Sequence, residues 1–181
     1  MGLEATKKNK EVEIMHGYVF VLSDNLESGL NFTIDEVEIV EVFYDVDGAE
    51  EIEDKEELIN AMKEFIESYE VGKLKMTKDQ KPYVEINVND FLKVLENEIR
   101  ERIERYIKML EVAKNSDKPW AQLNSVVTEA FELFWPYKFI FVENEIVSEC
   151  LYEREVPDVL VYLKKQGKDK IYLTKVCDIH M

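Results

Sequence analysis

Residues 82–113 read PYVEINVNDFLKVLENEIRERIERYIKMLEVA, and inside this stretch the hydrophobic period changes from two to nearly four. Pro82 opens a strand, Tyr83 to Val88, in which apolar and polar side chains alternate. Asn89 and Asp90 offer N-cap acceptors for a helix running from Phe91 to Ala113. Its apolar stripe is Leu95, Ile99, Ile103, Ile107 and Leu110. The polar side pairs Glu96 with Arg100, Glu98 with Arg102, Glu101 with Arg105 and Glu104 with Lys108. In each pair the acid precedes the base by four residues, the favourable order, at about 0.2–0.5 kcal/mol per pair. Such a self-neutralised surface reads as a solvated face, not as a nucleic-acid contact.

On the N-terminal side, Val12 to Leu22 is rich in β-branched and aromatic residues and stops at Ser23-Asp24-Asn25, the pattern of a strand with Gly17 as a bulge. A short segment, Asn31 to Ile34, is expected to pair beside it. Glu36 to Tyr44 starts as alternation and shifts by one at Val40, as a bulge or a strand buried on both faces would. Asp47-Gly48 marks a tight turn. Asp54-Lys55-Glu56-Glu57 is a capping-box pattern, followed by Leu58, Ile59, Met62, Phe65, Ile66 and Tyr69 at helical spacing and by Gly72 as a stop. Lys73 to Lys81 reads as a basic loop.

On the C-terminal side, Ser116-Asp117 and Pro119 start a further helix through Leu123, Val126, Val127, Ala130, Phe131 and Phe134, and Pro136 stops it. Phe139 to Val142 and Ile146 to Tyr152 read as strands about a turn at Glu143-Asn144. Val159 to Leu163 and Ile171 to Val176 read as a hairpin around Lys164–Lys170, because Val, Tyr and Ile dominate both arms. The alternative is a short helix after Pro157 that ends at Gly167. Together these elements predict an α+β fold, a largely antiparallel sheet of N- and C-terminal strands packed with about three helices. The 181 residues form one domain, with 1–11 as a flexible terminus; a split into 1–88 and 89–181 is the alternative.

A hydrophobic fraction of 46% supplies a core, and six glycines and four prolines leave little for linkers. No secretory or membrane-spanning stretch is visible, and two cysteines make no disulfide framework, so a reducing cytoplasm is the expected setting. Met1-Gly2 to Thr6 fits the loose N-myristoylation pattern, but the pattern is short and common, and a polar frayed terminus is the favoured reading.

No catalytic motif is present. Asp45-Val46-Asp47-Gly48 fails as an EF-hand loop: with Gly48 at the sixth position, Phe43 falls where the first oxygen ligand belongs. Asp45, Asp47, Glu50, Glu51, Glu53 and Asp54 could attract a hard cation, although water and salt relieve the same repulsion. Cys177-Asp178-Ile179-His180 has a zinc-like spacing with no second close pair, and a Cys177/His16 nucleophile would need the fold to join them. Phe131, Phe134, Trp135, Tyr137, Phe139 and Phe141 read first as core, and any ring left outside would form an oligomerising patch. No cofactor is expected.

The functional signal lies between Asp35 and Glu70, where fifteen acids face only Lys55 and Lys63, a net charge of −13 out of −16. A solvated face is the simplest account. The sharper one is a polyanionic surface offered to a basic partner, imitating the spaced charge of a nucleic-acid backbone. Its candidate contact residues are Glu36, Glu38, Glu41, Asp45, Asp47, Glu50, Glu51, Glu53, Asp54, Glu57, Glu64 and Glu67. In composition alone, small, acidic and motif-poor, the chain resembles anti-CRISPR and antirestriction inhibitors. That resemblance implies a non-enzymatic regulator that docks on a nuclease or another nucleic-acid-binding protein, with no direct nucleic-acid or membrane contact. A structural subunit oligomerising through the aromatic cluster and a divalent-metal enzyme are the alternatives.

Overall fold

The structure is a computed structural model and describes residues 16–33, 48–134, 137–143, 146–152 and 154–180. In chain order, these form β1 (His16–Ser23), α1 (Leu26–Asn31), β2 (Gly48–Glu51), α2 (Lys55–Tyr69), β3 (Lys73–Met76), β4 (Pro82–Asn87) and α3 (Val88–Lys114). They continue with α4 (Pro119–Phe134), β5 (Tyr137–Glu143), β6 (Ile146–Tyr152), α5 (Val156–Lys165) and β7 (Lys170–His180). The fold is α+β. Its seven strands make one sheet in the order β3-β4-β7-β1-β5-β6, with β2 added on β7. The sheet is mixed: β1 and β5 run parallel and the other pairs are antiparallel.

Strand β7 organises this sheet. One edge pairs with β1 over nearly its whole length, and the other carries β4 at Lys170–Leu173 and β2 at Cys177–His180. Pro82 has no N–H to donate, so the β4 ladder stops short of Thr174 and leaves room for β2 further along. The β1–β7 register shifts between Val21 and Leu22, where Thr174 is the extra residue. The bulge is therefore on β7, not at Gly17, because α1 packs against it. A Cβ on Gly29 would lie 2.7 Å from the Thr174 Oγ1 and 2.9 Å from the Ser23 Cβ, so only glycine permits the approach.

The main core lies between the sheet and α2, α3 and α5. Phe20, Leu22, Val84, Ile86, Phe139, Leu173 and Val176 from the strands meet Met62, Phe65, Phe91, Leu95 and Leu160 from the helices. At its centre Phe65 packs edge-on to Phe20 (5.1 Å) and to Phe91 (5.7 Å), and Tyr69 lies 6.0 Å from Phe139. These rings join β1, α2, α3 and β5. Phe139 and Phe141 are thus core residues, while the side chains of the other four aromatics in that cluster lie outside the described residues.

The capping expectations divide. Asp54 accepts from the Glu56 and Glu57 amides at 3.0 and 2.9 Å, as its sequence context requires. The α3 cap is Asn87, which accepts from Asn89 and Asp90, two residues earlier than expected. Helix α2 ends at Tyr69 with Glu70 in the left-handed region, φ 52°, before Gly72. Three expected segments change type. Asn31 belongs to α1, which replaces the short strand; Lys73–Met76 is a strand paired with β4; and 156–165 is a helix, not a hairpin arm. In α5 Val156, Leu160 and Leu163 are buried at helical spacing, and Pro157 stands in the first turn, where no amide partner is lost. Gly48 starts β2 instead of completing a turn, and residues 34–47, with the Glu36 to Tyr44 segment, lie outside the described residues.

Replacing Gly29 by alanine should destabilise the protein by about 1–3 kcal/mol in urea titrations, the cost of overpacking at a site with no slack. Phe65→Ala should cost about 3–5 kcal/mol, since the ring is fully buried among aromatic neighbours.

Candidate acidic docking face

The candidate site is built where β2 joins β7. In that register Glu50 stands opposite Asp178, and Asp178 in turn stands opposite Tyr18 of β1. Residues in one cross-strand row share a sheet face. Val176 and Phe20, two residues before Asp178 and two after Tyr18, belong to the core under the helices. The row Glu50–Asp178–Tyr18 therefore emerges on the same face, at the rim of the core beside α2. Two carboxylates directly opposed across a ladder are unfavourable, where a lysine at either position would stabilise the pair.

Helix α2 adds its own acids to this rim. Ala61, Met62, Phe65 and Tyr69 face the core, which leaves Glu57, Glu64 and Glu67 exposed. A cleft of about 500 Å³ is lined by Glu50, Glu51, Glu53, Glu57 and Asp178, with Thr33 and Ile52. A smaller hollow of about 210 Å³ lies along Tyr18, Phe20, Glu64, Ser68, Tyr69, Glu98 and Arg102, where Glu98 and Arg102 pair at 3.6 Å. Burial raises the Tyr18 phenol above its ordinary 10.0, and the charges of Glu64, Asp178 and Glu57 push it further. Tyr18 thus senses carboxylates from two separate elements at once.

The lysines define where the acidic field ends. Lys75 and Lys170 both reach Glu85, at 2.9 and 3.3 Å, and the hydrogen bond from Lys75 holds that carboxyl below its usual range. Lys168 pairs with Asp24 at 3.2 Å. These basic side chains are engaged away from the acidic block. Glu51 is different: on the other sheet face it is paired with Lys175, next to the Cys177 thiol. It was expected to contribute to an open contact surface and is instead neutralised by the β2–β7 pairing. Lys55, Lys81 and Lys175 also line a neighbouring hollow of about 340 Å³ with Glu51 and Glu53, so that side of the block is bounded by positive charge.

Of the twelve acidic residues singled out from sequence, Glu36, Glu38, Glu41, Asp45 and Asp47 lie outside the described residues. Asp54 has an N-cap role. Glu50, Glu53, Glu57, Glu64 and Glu67 remain exposed, and the first three share the cleft. Asp178 and Tyr18 were not anticipated, because only the long-range pairing of β7 brings them there.

Among the described residues no three carboxylate, imidazole or thiol groups are placed to hold a metal ion. Burial, with Glu51 adding and Lys175 opposing, pushes the Cys177 thiol up to about 12, so almost no thiolate exists near neutral pH to act as a nucleophile. No helix among the described residues is long and apolar enough to cross a membrane. Comparison with family models, with curated proteins and with solved structures finds no match.

Tyr18 should ionise above pH 10 in an NMR titration of labelled tyrosine, and Glu57→Gln with Glu64→Gln should move it back down. The folded state disfavours the phenolate, so Tyr18 costs no stability below its ordinary value and lowers stability as pH rises past it. An unshifted Tyr18 would mean that these carboxylates do not face it. In a Cys150→Ser background, alkylation of Cys177 at mildly alkaline pH should proceed at the rate of global opening and accelerate steeply in denaturant.

Proposed function

We propose that this is a non-catalytic binding protein that lays an acidic rim against a positively charged surface of another protein. The contact is the row Glu50–Asp178–Tyr18 with Glu53, Glu57, Glu64 and Glu67. The observation that carries the reading is the opposed pair Glu50 and Asp178, like charges at facing positions with glutamates of α2 beside them. A face selected only for stability would have alternated signs there, as α3 does along Glu98 and Arg102. Lys75, Lys168 and Lys170 are engaged with Glu85 and Asp24, away from this rim.

Carboxylates fixed on a strand row and a helix face cost little ordering entropy when a cationic groove closes over them. They also release the counterions held by that groove, as a nucleic acid would. A groove that binds nucleic acid is therefore the kind of partner whose chemistry fits, and occupying it would make the protein an inhibitor or regulator. The half-buried Tyr18 in the middle of the acids presents an aromatic ring to which an incoming arginine could stack while its charge is met by Glu57, Glu64 and Asp178.

The test is a charge reversal that spares Glu51, whose loss would break the pair with Lys175. Glu50→Lys, Glu53→Lys and Glu57→Lys together should abolish capture of nucleic-acid-binding proteins from lysate at low salt. Wild-type capture should fade as salt is raised, and the thermal midpoint of the variant should stay within a few degrees of wild type. Equal capture by the two proteins would remove this face as the site.

A further inference from the structure

A second surface is apolar and lies on the other half of the molecule. Beyond Leu95 the only buried residue of α3 is Ala113, and α3 packs against both α5 and α4, the latter joined to it through the short link at 115–118. Ile103, Ile107 and Leu110 of α3 stay exposed, as do Trp120, Leu123 and Val127 of α4. Trp120 keeps 69% of its surface and Ile107 50%. The stripe expected to bury α3 is thus rotated out of the seam over its last three members.

The two exposed stripes open on one side. On α3 the covered side runs through the half-buried Tyr106 and Met109 and the buried Ala113, and Ile107 and Leu110 follow the first two by one position, about 100° of rotation. On α4 Val126 is buried and Val127 follows it in the same sense. Because α4 returns along α3, equal rotations on antiparallel helices carry both stripes to the same side of the hairpin. The six side chains expose on the order of 500 Å², near the top of the ~300–600 Å² found for the largest patch on a monomer.

We infer that this face is covered by a second copy of the chain, hairpin on hairpin, to give a four-helix bundle about a two-fold axis. Charge selects that occupant. From Glu96 to Val127 there are six acids and six bases, a net of zero in a chain of −16. A strongly charged partner gains nothing at such a surface, whereas two equally acidic copies can approach there with the least repulsion. Area agrees: two patches face to face remove about 1,000 Å², the lower bound for a specific interface. A two-fold contact uses the same patch twice, and a neutral, mixed-sign rim is its own complement.

Sedimentation of the full chain over the micromolar range, in low and in half-molar salt, tests this. A dimer is expected, undiminished or tighter in high salt because the repulsion between acidic copies is screened while the apolar contact is not. Ile107→Glu with Leu123→Glu should give a monomer with an unchanged far-ultraviolet spectrum. Val112→Glu, equally apolar and 65% exposed but on the far side of α3, should leave the dimer intact. A wild-type monomer throughout would overturn the inference, including the case where the chain's own residues 34–47 cover the patch. So would a dimer that survives the double substitution. Loss of the dimer in the Val112 variant alone would place the interface on the opposite side and overturn it too.

Discussion

The packing of Phe20, Phe65, Tyr69, Phe91 and Phe139 is the interaction on which the rest of the molecule depends. Five rings from four elements meet with centroid separations between 4.9 and 6.1 Å, most of them tilted or edge-on. Each ring is large enough that its burial outweighs the entropy lost in fixing it, and their mutual angles suit the aromatic quadrupole. This cluster sets the height and direction of α2 over the sheet. Because Phe65 and Tyr69 point inward, the helical period turns Glu57, Glu64 and Glu67 outward. The acidic rim is in that sense a by-product of the aromatic interior.

Opposed requirements then meet at β2. Its outer row brings Glu50 against Asp178, which weakens the ladder, while Glu51 on the reverse face gains Lys175, which strengthens it. One strand of four residues carries both a repulsive and an attractive pair. Exposed ion pairs contribute little, but the Lys175 side chain is largely covered, so its contact with Glu51 anchors β2 more firmly than a surface pair would. The anchoring pair holds the repulsive one in place.

Much of this was legible in the sequence wherever local chemistry decides. Asp54 announces α2 because a carboxylate at that spacing has one good use, and Pro82 and Pro119 mark starts because proline has no amide to lose. The misreadings have physical reasons as well. Val159 and Val161 favour strands by propensity, yet the burial of Val156, Leu160 and Leu163 overrides that preference, and no single-residue scale contains the overriding term. Leu26–Asn31 is too short for a period to show, and its central glycine argues against a helix until Thr174 is seen across from it. The charge block was visible at once, but the partners of its members were not. Asp178 is more than a hundred residues from Glu50, and nothing local predicts that they face each other or that Lys175 silences Glu51.

Strand β7 has one further consequence, for the order of assembly. It follows every other described element in the chain, yet it sits in the middle of the sheet, between β1 on one edge and β4 and β2 on the other. During synthesis β4 and β2 must wait beside an empty slot, with that edge of their backbone open to water, until β7 leaves the ribosome. Net repulsion among nascent chains this acidic would keep those open edges from finding one another in the interval. The same carboxylates that shape the finished surface would then also act as its guardians while the chain is still being made.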